Sequence, residues 1–200
     1  MILGAGLTGL AAATWLRSGY RLLEAQGRVG GLCATTGDEG YRFDRTWHLF
    51  HSRDEEIRRW IETILEGRLV RIERRSRIFS HGVYSRFPFQ ANTFGLPPAV
   101  AYECLKGFLD AWDRRDTHTR PPRDFEDYIR RYFGDGIAHH FMIPYNTKLW
   151  GVPPREMSTA WTQRFVPRPT RDDVLAGAVG LNDRELGYNA AFLYPKKGIG

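Results

Sequence analysis

Gly4-Ala5-Gly6-Leu7-Thr8-Gly9 stands directly after the apolar pair Ile2-Leu3 and directly before Leu10-Ala11-Ala12-Ala13-Thr14-Trp15-Leu16. The spacing Gly-x-Gly-x-x-Gly alone says little. Placed between a strand end and an Ala-rich helix, it reads as a dinucleotide-binding turn. Gly4 permits the sharp turn, Gly6 lets the backbone approach a pyrophosphate, and Gly9 lets the helix pack closely on the sheet. The helix N-terminus then offers free N–H groups and a positive dipole end to phosphate. Arg21-Leu22-Leu23-Glu24-Ala25 reads as the second strand. Glu24 lies about 20 residues beyond Gly4, where a carboxylate accepts ribose hydroxyls. An arginine there would point to a 2′-phosphate instead.

The bulk properties suit this reading. Two hundred residues make one large domain or one and a half small ones. A hydrophobic share of 42% is enough for a core, and the net charge of +6 favours anionic partners. A phosphorylated cofactor and substrate satisfy that charge. With no long basic run and no nucleic-acid motif, nucleic acid is not expected as a partner. Cys33 and Cys104 lack metal or redox spacing, which fits a reducing compartment. No signal peptide and no apolar run near a membrane-spanning length is evident, so the expectation is a cytoplasmic chain without a transmembrane segment.

Gly27-Arg28-Val29-Gly30-Gly31-Leu32 follows the second strand. The glycine pair allows close backbone approach to a bound group, and Arg28 can meet phosphate. A Gly-x-Gly-x-x-Gly turn, a strand-end Glu and then Arg-x-Gly-Gly resembles the FAD-binding sequence of amine-oxidase and glutathione-reductase flavoproteins. That resemblance narrows a generic dinucleotide turn to FAD. It implies an α/β fold with a Rossmann-like FAD-binding domain of the glutathione-reductase type.

Farther on, Gly40 to Asp44 alternates like a short strand. His48 and His51 are three apart with no third ligand near them in sequence, so no metal site is expected. Residues 53–67 read as a helix with Ser52 as N-cap, Asp54-Glu55-Glu56 in its first turn, and a core face of Ile57, Trp60, Ile61, Ile64 and Leu65. Residues 69–72, 76–80 and 83–87 read as strands of one small antiparallel meander, with Pro88 breaking the last. From Pro97 the pattern turns helical, with Val100, Cys104, Leu105, Phe108, Leu109 and Trp112 at threes and fours. Residues 113–122 read as a loop. A short helix carries Phe125, Tyr128, Ile129, Tyr132 and Phe133 and stops at Gly134; another runs from Ile137 to Trp150 and stops at Gly151. A further short helix is expected over 170–181 and a returning strand over 190–194.

Several segments, in the same order, resemble UDP-galactopyranose mutase, particularly the eukaryotic type. They include Phe43-Asp44 with His48 and Phe50-His51-Ser52, then Phe87-Pro88-Phe89-Gln90-Ala91-Asn92. Phe125-Glu126-Asp127-Tyr128-Ile129, Gly134-Asp135-Gly136 and Phe141-Met142-Ile143-Pro144-Tyr145-Asn146 come next. Lys148-Leu149-Trp150-Gly151, Met157 with Trp161, and Tyr188-Asn189-Ala190 with Tyr194-Pro195 complete the set. The Pro-Tyr-Asn-x-Lys-x-Trp segment is far more specific than any glycine turn. Related flavoproteins of the protoporphyrinogen-oxidase and amine-oxidase kind share much of it.

The resemblance implies a nucleotide-sugar pyranose–furanose interconversion through an adduct at N5 of reduced flavin, with UDP leaving and returning. The cofactor then does the covalent work, and the protein positions and stabilises charge. The resemblance places His48 against the flavin ring as the catalytic histidine. It assigns Gly4, Gly6, Gly9, Glu24, Arg28, Gly30, Gly31, Leu32, His48 and Gln90 to the cofactor. Tyr145, Asn146, Trp150, Arg164 and Asn189 go to the substrate, with an indole to stack a base and an amide for its edge. Two positions depart from the family. Thr46-Trp47 stand where it has two glycines, and its diphosphate arginine falls on Phe165 by strict count, with Arg164 one residue early and Arg168 a second candidate.

The expected organisation is an FAD-binding part over residues 1–68, an antiparallel sheet segment over 69–95, an inserted helical substrate domain over 96–165, and a return to the FAD domain over 166–200. Only Met1-Ile2-Leu3 precede the turn, and Gly198-Ile199-Gly200 open a new one, so the chain reads as the N-terminal portion of a longer protein. Its expected partners are a nucleotide sugar or other small-molecule substrate and an external reductant or electron acceptor. An FAD oxidoreductase of the amine-oxidase or protoporphyrinogen-oxidase kind is the competing reading, and an incomplete, non-catalytic flavin-fold piece a third.

Overall fold

Ile2–Leu3 (β1) pairs in parallel with Leu22–Leu23 (β2), Ile2 opposite Leu22 and Leu3 opposite Leu23, and the helix Leu7–Leu16 (α1) makes the crossover between them. The computed structural model describes residues 1–46, 49–50, 52, 54–181 and 191–200, the side chains of Gln163 and Arg164 excepted. The chain divides into two compact units: Met1–Glu73 with Ala191–Gly200, and Arg74–Ala190.

In the first unit, Gly9 is buried where α1 meets β1. A Cβ there would run into the Gly4 carbonyl and come within 3.3 Å of Ile2 Cγ2. Only glycine fits that contact. After β2, the Gly30 N–H donates to the Ala5 carbonyl at 2.8 Å, and Gly30 and Gly31 take φ of 106° and 57°. That left-handed pair is easy only for glycine. Thr35–Asp38 (β3) and Tyr41–Asp44 (β4) form a hairpin. Glu39 and Gly40 at its tip both have positive φ, the two-residue turn that matches strand twist.

The next helix, Glu55–Ile64 (α2), corrects two expectations. Its N-cap is Asp54, whose carboxylate accepts the N–H groups of Glu56 and Ile57 at 2.9 and 3.1 Å. Ser52 instead bonds the Asp54 backbone, accepting its N–H at 3.1 Å. Nor is the apolar face a core: α2 buries none of its residues, and Ile57 and Ile64 are 48% and 51% exposed. Helical spacing reports an amphipathic face; it does not say that another element covers it. Trp60 packs on Trp15 of α1, ring centroids 6.4 Å apart.

Leu69–Glu73 (β5) begins the region read as a meander, and its pairing differs from that expectation. It pairs antiparallel with the late strand Ala191–Pro195, while Arg77–Ser80 (β6) pairs only with Val83–Arg86 (β7) among the described residues. Strand propensity is local, but partner choice is set by where a distant strand returns. At the end of the chain, the Gly200 N–H donates to Thr35 Oγ1 at 2.8 Å, and the Ile199 N–H to Asp44 Oδ1 at 3.2 Å.

The second unit is mainly helical. Pro98–Arg114 (α3) runs into the stretch read as a loop, and a 3₁₀ turn, Arg115–Thr117, follows it. Phe125–Ile137 (α4) is capped by Asp124, which accepts the Asp127 N–H at 2.8 Å. Its geometry breaks at Gly134, with φ 77°, then resumes. A π-helical stretch, Ala138–Met142, leads into Ile143–Trp150 (α5), which Gly151 closes at φ 73°. Thr162–Phe165 (α6) and Arg171–Ala178 (α7) follow, the latter opened by a reciprocal Thr170–Asp173 capping box. The last strand of the chain, Ala191–Pro195 (β8), belongs to the first unit.

Phe89, Phe108, Phe125, Ile129, Phe133 and Ile137 form the core of the second unit, each at most 1% exposed. Helices α3 and α4 cross at backbone distance. A Cβ on Gly107 would lie 2.8 Å from the Gly136 nitrogen, and one on Gly136 would overlap the Glu103 carbonyl. Asp127, near the start of α4, is bound by Arg131 at 2.7 Å. Burial pushes its carboxyl up, but the Arg123 N–H and the Arg131 guanidinium outweigh that and hold it below the ordinary range.

Candidate functional site

Two places could hold a ligand, one in each unit. In the first, α1 starts at Gly6, which makes no side-chain cap, so the first-turn N–H groups stay open for an anion. A Cβ at Gly4 or Gly6 would meet no protein atom within 4 Å. The space above these glycines is what a diphosphate needs. Glu24 closes the end of this cradle. Its Oε2 accepts the Ala5 N–H at 2.7 Å, and its Oε1 the Gln26 N–H at 2.8 Å. The Ala5 N–H is the main cause that holds this carboxyl below its usual range. It therefore stays an acceptor, with lone pairs left for ribose hydroxyls. Gly30 joins the same cradle through a parallel bridge to Gly6. Arg28 and Leu32 are exposed beside it in sequence. His48 and His51 lie outside the described residues, as does Asn189.

In the second unit, Gln90, Tyr145, Asn146 and Trp150 come together around a cavity of about 430 Å³. That is within the size range of small-ligand pockets. Phe141, four residues before Tyr145, completes the reason for its shape. Phe89, Phe141 and Tyr145 stack as a ladder, with centroids 4.5 and 4.9 Å apart and planes 12° and 18° from parallel. The inner ring is buried, while the outer one, Tyr145, is 47% exposed. Its free face is a platform for a flat group. Trp150, 52% exposed, leans on Trp161 at 5.7 Å.

Two amides supply direction. Asn146 is 6% exposed, and its Nδ2 donates to the Met142 carbonyl at 2.7 Å, which leaves Oδ1 as an acceptor. Gln90 Nε2 donates to the Pro167 carbonyl at 3.0 Å. Arg74 is the charged lining residue among those described; it donates from Nε to Ser76 Oγ at 2.7 Å and lies 5.1 Å over the Phe87 ring. The sequence does not mark Arg74, Phe87, Phe141 or Trp161 as site residues. Phe141 shares a helical face with Tyr145 and could have been; Arg74 sits in a run of arginines with nothing to distinguish it. Phe165, where strict counting puts the family arginine, lines the cavity, while the Arg164 side chain lies outside the described residues. Arg168 is held elsewhere. Its Nε donates to Tyr128 Oη at 2.8 Å, and its guanidinium lies 3.8 Å over the Tyr132 ring.

This combination of a glycine cradle and an aromatic, amide-bearing cavity meets its match among known proteins. Residues 2–64 fit the model of the NAD(P)-binding Rossmann-like domain. The whole chain superposes on a crystal structure of reduced UDP-galactopyranose mutase with a TM-score of 0.87 and 32% identity, over 44% of that chain. The chain is similar to UDP-galactopyranose mutase. A curated relative, dTDP-fucopyranose mutase of Escherichia coli, is 21% identical over 179 residues, 86% of this chain and 47% of the relative. A candidate protoporphyrinogen oxidase from Exiguobacterium sp. 255-15 aligns over 99% of this chain and 47% of its own, with a TM-score of 0.65 and 24% identity, and shares the fold. The chain thus spans about half the length of the proteins it matches. Among the described residues, no helix is long and apolar enough to cross a membrane.

Proposed function

We propose that this chain forms the FAD-binding and nucleotide-binding parts of an enzyme that interconverts the pyranose and furanose forms of a nucleotide sugar. The observation that carries the reading is the cavity of the second unit: stacked aromatics, two directed amides and, among the described residues, the cation of Arg74, on a chain similar throughout to a sugar-nucleotide mutase. Reduced flavin, when bound, supplies the nucleophilic nitrogen for the sugar. The glycine turn and the α1 N-terminus hold its diphosphate, Glu24 takes the ribose hydroxyls, and Arg28, Gly30, Gly31 and Leu32 flank the same cofactor.

In the cavity, a uracil-like base lies on the free face of Tyr145 with Trp150 beside it. Asn146 Oδ1 accepts an N–H from the base edge. Gln90, fixed through Pro167, borders the same space, and Arg74 faces the negative charge that accompanies the nucleotide. His48 is assigned to the flavin, and Arg164 and Asn189 to the sugar nucleotide.

The test uses the full-length protein with reduced FAD and UDP-hexoses. The expected result is formation of the furanose isomer with no net consumption of an electron acceptor. Stoichiometric consumption of acceptor with substrate would instead identify an oxidase and sink the proposal. UDP alone should bind, and Trp150→Ala should weaken it roughly 5- to 100-fold, the cost of losing one stacked base.

A further inference from the structure

Away from that cavity, three imidazoles converge in the second unit. His81 sits with Gly82 at the tip of the β6–β7 hairpin; His139 and His140 lie on the π-helical stretch before α5. The His81 and His140 ring centroids are 5.1 Å apart, and those of His139 and His140 5.0 Å. Two imidazoles bound to one tetrahedral metal, each with a metal–nitrogen distance of about 2.0–2.1 Å, hold their centroids roughly 5 Å apart.

The hydrogen bonds behind the rings point the same way. His140 Nε2 bonds Glu103 Oε2 at 2.7 Å. A carboxylate only accepts, so the neutral ring carries its proton on Nε2 and keeps the Nδ1 lone pair free. His81 Nδ1 bonds Ser80 Oγ at 2.6 Å, which leaves Nε2. A ring whose far nitrogen is held by a carboxylate or hydroxyl is the usual state of a metal-binding histidine. His81 and His139 are exposed, so a cation has access. No group of three or more His, Cys, Asp or Glu stands ready to hold a metal among the described residues, so the protein supplies two ligands and water the rest.

We propose that His81 Nε2 and His140 Nδ1 form a site for a divalent transition cation such as Zn²⁺ or Cu²⁺, with Ser80 and Glu103 orienting the rings. The cation would tie the hairpin tip to the helical body of this unit. It is independent of flavin and nucleotide.

Calorimetric titration of the intact protein with Zn²⁺ tests the idea, with Mg²⁺ as the oxygen-preferring control. One Zn²⁺ site per chain is expected. His81→Ala and His140→Ala should each weaken it at least tenfold, and His118→Ala should not. Glu103→Gln should weaken it about tenfold by releasing the His140 ring. Cu²⁺ bound to the wild type should show electron-spin coupling to two nitrogens, and circular dichroism confirms that each variant is folded. An absence of Zn²⁺ binding to the wild type, or binding that survives loss of either histidine in a folded variant, overturns the proposal.

Discussion

Glu24 shows how one side chain links fold and function. Its two oxygens hold the backbone at Ala5 and Gln26, so the acid shapes the glycine turn, and it is the group we propose for the ribose hydroxyls. Removing it takes away the charged acceptor that holds the Ala5 and Gln26 N–H groups. Glu24→Ala should therefore weaken flavin binding, by about tenfold, read by fluorescence titration of the full-length apoprotein. Unchanged affinity would separate the carboxylate from the cofactor. Cys104 makes the opposite case, a residue with no role in the site. It is fully buried on α3, and burial, with the nearby Glu103 charge, pushes its thiol up to about 12. The folded chain keeps that proton while the unfolded chain loses it near pH 9, so stability falls as pH rises from about 9 to 12. The slope from this group is about 1.4 kcal/mol per pH unit. Cys104→Ala should flatten the urea-denaturation profile over that window, and native Cys104 should resist iodoacetamide at pH 8.

The elements explain why some of the structure was legible in the sequence. Where a local rule acts alone, reading and structure agree at most positions; the start of α2 is an exception, because two cap residues, Ser52 and Asp54, compete and Asp54 takes the first-turn N–H groups. The glycine turn, the α1 start, the stop at Gly151 and the Thr170-Asp173 start of α7 all follow from residues a few positions apart. Partners distant in sequence were not legible. The pairing of β5 with β8 depends on strand returns some 120 residues later, and the exposure of α2 on what does or does not cover it. The cavity falls between. Tyr145, Asn146 and Trp150 are named by the family resemblance, with Asn146 and Trp150 four apart on one helical face, but Arg74 and Trp161 reach the cavity only through the tertiary fold. Small residues in α3 and α4 likewise look like helix weaknesses until the crossing is seen. Gly136 abuts the Glu103 carbonyl with no room for a methyl group. Gly136→Ala gains helix propensity of up to about 1 kcal/mol but forces the crossing apart. Overpacking costs about 1–3 kcal/mol, so net destabilisation is expected in urea denaturation. A more stable variant would mean that the helices separate freely.

At the scale of the chain, the two units differ in what holds them. The largest fully buried side chains among the described residues, Tyr128, Phe89, Phe108, Phe125 and Phe133, all belong to the second unit. In the first, the buried hydrophobics described are Ala5, Ala13, Cys33 and Ala34, while Leu3, Leu7, Trp15 and Leu32 are largely exposed. Apolar burial is the main source of stability, at about 25 cal/mol per Å². The first unit should therefore open more readily by itself, and flavin should matter most there. A ligand at 100 times its dissociation constant adds about 2.7 kcal/mol to the state that binds it, which slows exchange through opening of that unit by roughly 100-fold. Hydrogen exchange of the 200-residue chain with and without FAD should show that slowing at amides of residues 5–16. The α4 amides of Phe125–Phe133, protected by their own core, should change little. Equal slowing in both places would mean that the units open together, and the division of labour between a cofactor-stabilised unit and a self-sufficient one would not hold.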